Sequence, residues 1–149
     1  MALPELVGWD ATRDALHQAT QVIGAIRVAM VEPLSNDLQY SVKIIANGIS
    51  SDKLKNGGEL VLDFATGILG YKQDYQLLFA IDISSYNQTS LMTAVLDQLK
   101  QVGINVEPSW NKIKATSPFQ VDKAISADYA QVLNNVFVAM ELFRARLSG

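Results

Sequence analysis

The sequence predicts an α+β domain: a meander of four antiparallel strands, or five if residues 104–106 add an edge, packed against three amphipathic helices. Three observations predict it. Between residues 38 and 81, stretches of apolar–polar alternation follow one another at short intervals, the period of half-buried strands. The flanking stretches instead repeat their apolar residues every three or four positions, the period of a helix with one buried face. The connections between the alternating stretches are too short for crossover helices, so successive strands pair antiparallel and the helices stand apart from the sheet.

The first helix spans residues 9–30. Leu16, Ala19, Ile23, Ile26 and Met30 make its apolar face, and Asp10 or Thr12 is the expected cap. Pro33 ends it and 35–37 turn the chain. In residues 38–47 the inward row is Leu38, Tyr40, Val42, Ile44 and Ala46. Residues 48–58 are rich in Ser, Asp, Lys, Asn and Gly and read as a loop. Leu60, Leu62 and Phe64 form the next inward row, and 65–67 are a turn. Gly70 weakens the strand at 68–72. After a turn at Gln73–Asp74, the residues Tyr75, Leu77, Phe79 and Ile81 are the inward row of the fourth strand.

A second helix is expected from Thr89 or Ser90 to Val102. Its stripe is Leu91, Met92, Val95, Leu96, Leu99 and Val102, with Gly103 as the left-handed residue behind it. Residues 109–125 are irregular and would wrap the surface, with Trp110 and Phe119 as anchors. The last helix starts at Ser126 or Asp128 and carries the richest apolar stripe, from Tyr129 through Val132, Val136 and Met140 to Phe143. No repeat, linker or low-complexity run divides the chain, so residues 1–149 read as one domain.

Composition narrows the function. Of 149 residues, 49% are hydrophobic and only 18% charged, below the usual quarter. A chain this poor in charge is expected to cover surface with a partner, and the natural partner is a second copy. Ile45, Val61 and Leu78 would form the apolar centre of that interface, on the other sheet face, ringed by Lys43, Glu59, Asp63 and Asp82. The net charge is −3 without a basic stripe, so nucleic acid is not an expected partner. There is no cysteine, which excludes disulfides and thiolate metal sites. No apolar run is long enough for a membrane span and the N-terminus lacks a signal pattern, so the expected compartment is the cytoplasm. Phosphate-loop and dinucleotide signatures are absent. No metal or cofactor is implied.

One constellation stands out. Arg13, His17, Gln21, Gly24 and Arg27 run along the first helix at four- and three-residue spacing, beside Thr20. A glycine inside a helix costs about 1 kcal/mol against alanine, which asks for a reason. His17, Gln21, Gly24 and Arg27 would line a small-molecule site, with the arginine fork holding a carboxylate or phosphate. The competing reading is that Gly24 makes room for another element and the polar groups cap loop carbonyls.

The same helix carries a resemblance. Leu6, Trp9, Thr12, Leu16-His17, Gln21, Gly24 and Ile26-Arg27 resemble the opening of a family of uncharacterised bacterial proteins, a domain of unknown function. The likeness continues through Asn47-Gly48, Leu62-Asp63-Phe64, Leu99, Gly103-Ile104 and Phe143-Arg144-Ala145-Arg146. Members often carry histidines where this chain has Asn36-Asp37-Leu38-Gln39-Tyr40, and many continue into an aromatic-rich tail. The resemblance implies no reaction. The expectation is a non-catalytic cytoplasmic binding or interaction domain, homo-oligomeric, with a small anion as ligand. The alternative is an enzyme acting on a small anionic substrate, with Arg27 as anchor and His17 as acid–base.

Overall fold

A computed structural model describes residues 5–30, 42–54 and 57–148, with side chains described from residue 10 to 136 and at Val138. Helix α1 (Glu5–Met30) is followed by strands β1 (Lys43–Ile45), β2 (Gly48–Ser50), β3 (Glu59–Asp63), β4 (Ile68–Gln73) and β5 (Gln76–Asp82), then helices α2 (Gln88–Gln101) and α3 (Lys123–Ser148). The five strands form one antiparallel sheet in sequence order. The predicted α+β meander is therefore the observed fold. Its fifth strand is β2, within the stretch read as a loop, whereas residues 104–106 carry no strand. The expected Leu38 and Tyr40, and the turn after Pro33, lie outside the described residues.

The inner sheet face is a lattice of apolar side chains. Ile44, Ile49, Leu62, Leu69 and Ile81 stand side by side across all five strands. Leu60, Tyr71 and Phe79 form the next row, with the Tyr71 and Phe79 rings stacked at 5.5 Å. Cross-strand pairs of this kind fix the register, because a one-residue slip would turn every member to the other face. The helices cover this face. Ala19, Val22, Ile23 and Ile26 of α1 and Leu91, Met92, Val95 and Leu99 of α2 are wholly buried in the same core. α1 lies between α2 and α3, and α3 also packs against the β1–β2 end of the sheet.

In β5 the predicted alternation fails. A bulge between the Tyr71–Phe79 and Lys72–Leu77 pairs leaves Leu78 as an extra residue. The parity of the strand flips there. Phe79 and Ile81 face the core, but Leu77 is 59% exposed and Tyr75 wholly so. Leu77 lies over Gly70 on the outer face, where a Cβ on that glycine would come within 2.9 Å of it. The β4–β5 turn is Asp74–Tyr75 rather than Gln73–Asp74, and both residues have positive φ, 54° and 65°, as a tight two-residue hairpin loop requires.

The helix starts also differ from expectation. α1 begins at Glu5, so Asp10 and Thr12 lie inside it and cap nothing. Buried Thr12 instead accepts from the Asp122 N–H at 3.0 Å. Asn87, two or three residues earlier than the expected Thr89 or Ser90, caps α2 in a reciprocal box with Ser90. Asp122 caps α3 by accepting from the N–H groups of Ala124 and Ile125, earlier than Ser126 or Asp128. Gly103 takes the expected left-handed position, φ 88°. Its N–H bonds to Lys100 O and that of Ile104 to Leu99 O, the paired closure of a Schellman ending. On α3, Val132 and Val136 are exposed rather than inward, and the side chains of Phe137, Met140 and Phe143 lie outside the described residues.

Candidate functional site

A cleft of about 540 Å³ opens along α1 on the side away from the sheet. The helix contributes His17, Thr20, Gln21, Gly24, Ala25 and Val28 to it. Val42, just before β1, closes one side, and Ser109, Asn111 and Lys112 close the other. Helical geometry explains the membership. At 100° per residue, Gln21, Gly24 and Val28 fall within about 40° of His17 around the axis, whereas Arg27 falls about 80° away on the core side. Successive three-residue steps rotate backwards, so a line that looks continuous in sequence leaves the face at Arg27.

Three of the four proposed ligand residues, His17, Gln21 and Gly24, thus meet at one cleft, and Arg27 does not join them. Arg27 is only 8% exposed and donates to the carbonyl of Ser51, just beyond β2. It fastens the last turn of α1 to the sheet. The Arg27–His17 pair of the enzymatic alternative is therefore not assembled. Gly24 does not make room for another element: a Cβ there would meet nothing within 4 Å. The space before it belongs to the cleft.

The wall formed by 109–112 depends on Gln88, the first residue of α2. This side chain is 2% exposed. Its amide nitrogen donates to Gln18 O at 3.2 Å and to Gln21 Oε1 at 2.8 Å. Its oxygen accepts the N–H groups of Lys114 and Ala115, both at 3.1 Å. Both donors and both acceptor sites of one buried amide are used, which ties α1, α2 and the long connection together. Ile113, 2% exposed, anchors the same stretch in the core, and Pro108 is also buried; Phe119 is a buried anchor as expected, whereas Trp110 is exposed.

The cleft is electrostatically one-sided. Lys112 and His17 are its ionisable groups, and no carboxylate lines it among the described residues. Gln21 Oε1 is engaged by Gln88, so its NH₂ is the group it can offer a ligand. The lining therefore combines donors from His17, Gln21 and Lys112 with aliphatic groups from Ala25, Val28 and Val42. Lys112 had no signal in the sequence, since it lies in an irregular stretch whose position is fixed by tertiary contacts.

A family model described as a family of unknown function, DUF5996, matches residues 2–149. The chain belongs to that family. No curated protein and no solved structure matches it. The resemblance carried by the first helix thus extends over the chain, and the family brings no reaction with it.

The other expected positions are distributed as follows. Ile45 and Val61 are half-buried on the outer sheet face, while Leu78 is the exposed bulge residue of β5. The hydrogen bonds of residues 109–122 run to Thr12, Tyr86, Asn87, Gln88 and Thr89, and Lys123 reaches Thr66 and Asp82. The carboxylates expected to ring that interface have local duties. Glu59 accepts from Ser50, Asp63 from the N–H groups of Ala65 and Thr66, and Asp82 from Ser84. Among the described residues no helix is long and apolar enough to cross a membrane.

Proposed function

We propose that this domain is a non-catalytic binding module, bacterial and cytoplasmic, working as a homodimer, whose cleft on α1 takes a small organic anion. The observation that carries the ligand class is the lining: donors from Lys112, His17, Gln21 and Asn111, aliphatic groups from Ala25, Val28 and Val42, and no carboxylate among the described residues. A lysine ammonium in a partly enclosed site attracts negative charge without fixing its geometry. The aliphatic part suits an apolar body attached to the anionic head. Self-association is supported by the low charge content and by exposed Leu77 and Leu78 on the sheet.

Isothermal titration with a panel of short-chain carboxylates and phosphate monoesters tests the ligand class. We expect saturable binding of at least one anion, weakened at least tenfold by Lys112→Glu with the unfolding midpoint unchanged. Arg27→Met should lower stability and leave the affinity alone. Equal binding by wild type and Lys112→Glu overturns the reading.

A further inference from the structure

We propose that the anion taken by the α1 cleft carries a hydroxyl, and that Thr20 and Gln21 select it. This rests on the ligand reading above and narrows it. Both side chains line the cleft half-buried, and each has part of its hydrogen-bonding capacity already committed. The Thr20 hydroxyl donates to Leu16 O at 2.7 Å, so its oxygen is left as an acceptor. Gln21 is committed the other way. The backbone N–H groups of Lys114 and Ala115 can bond only to an oxygen, which sets the Gln88 amide with its oxygen toward them and its nitrogen toward α1. That nitrogen requires the oxygen of Gln21. The orientation of the Gln21 amide thus follows from two backbone donors, and its NH₂ is the end left for a ligand.

Gly24 uncovers this pair. Around the helix axis it lies between them, about 40° from Thr20 and about 60° from Gln21. A helical side chain leans over the turn before it, so a residue with a side chain at this position would cover positions 20 and 21. The glycine leaves that patch to the cleft, with nothing within 4 Å of where its Cβ would stand. The patch offers one acceptor and one donor. A hydroxyl is the smallest group that answers both, donating to Thr20 Oγ1 and accepting from Gln21 Nε2. An anionic oxygen placed there would set acceptor against acceptor at Thr20, which leaves the charged head to Lys112. A plain alkyl group there would leave both protein groups unpaired.

Isothermal titration of the full chain with matched pairs tests this: butanoate against its hydroxybutanoate isomers, and propyl phosphate against glycerol phosphate. In at least one pair the hydroxylated member should bind about tenfold tighter, as expected for one well-paired hydroxyl. Thr20→Val keeps the side-chain shape and removes the acceptor. It should bring the preference to within about twofold, with an unchanged circular dichroism spectrum. Thr20→Ser keeps the hydroxyl and should keep the preference. If Thr20→Val folds poorly, Gly24→Ala reads the same patch, because its methyl lies over the pair and should also reduce the preference. Binding without preference for any hydroxylated member overturns this inference and leaves the anion reading standing. A preference that survives in Thr20→Val overturns the selection by Thr20. No binding by any of these anions overturns both the inference and the reading it rests on.

Discussion

On one side of α1, Ala19, Val22, Ile23 and Ile26 are wholly buried against the sheet and α2; on the other, His17, Gln21 and Gly24 border open space. The core side is held by many interchangeable apolar contacts, none of which needs a particular direction. The cleft side is held by very few. Gln88 makes four directional hydrogen bonds, and through them the wall at 109–112 takes its place. A helix therefore gains stability from the face where packing is complete and a site from the face where it is not. Stability should respond to volume on the first face and to hydrogen-bond pairing on the second.

The largest expected effect is in the core. Leu62 is wholly buried in the row that crosses all five strands. Leu62→Ala should cost about 2–5 kcal/mol in urea unfolding, from lost burial and a residual cavity. A loss below 1 kcal/mol, on the order of a surface change, would mean that the row is not close-packed and the contrast with the cleft is false.

The next effect joins the two regions. Gln88→Leu keeps the volume but leaves the N–H groups of Lys114 and Ala115 and the oxygens of Gln18 and Gln21 without this partner. We expect about 1–3 kcal/mol of destabilisation together with weaker anion binding, because the cleft wall loses its tie. Titration calorimetry of the variant separates the two consequences. Unchanged affinity would detach Gln88 from the site.

Gly24→Ala sharpens the comparison from the other direction. The added methyl enters free space and removes the backbone-entropy penalty of a helical glycine, so stability should rise by about 0.5–1 kcal/mol. The same methyl narrows the cleft, so anion affinity should fall. A gain in both would show that the glycine serves no ligand.

The smallest effect lies at the far end of the sheet and depends on pH. The hydroxyl and N–H of Ser84, then the ammonium of Lys123, hold the Asp82 carboxyl below its ordinary range against a slight opposing effect of burial. The folded state thus favours the carboxylate. Its contribution is present above the unfolded-state value near 4 and is lost as pH falls through the lowered folded value. Asp82→Asn should be slightly less stable than wild type at neutral pH and converge with it in strongly acid solution. A gap that persists in acid would mean that Asp82 acts through shape rather than charge.

Much of this protein follows from period alone. Alternation over 59–64 and the three-to-four spacing of α1 and α2 depend only on local geometry, so Leu60, Leu62, Ile23 and Leu99 are core residues whichever elements face them. Gly103 likewise follows from a local need, a left-handed residue after a helix. Three features depended on the tertiary structure. The β5 bulge arises from pairing with β4, and it moved Tyr75 and Leu77 out of the row that alternation assigned them. Arg27 left its line because three-residue steps rotate away from the face and because a carbonyl beyond β2 lay within reach. Lys112 entered the cleft because Gln88, seventy residues from its contact on Gln18, draws an irregular segment to α1. Sequence patterns record how each segment meets an average interior. Which loop comes to lie beside a helix is decided by partners distant in the chain, and no local spacing encodes them.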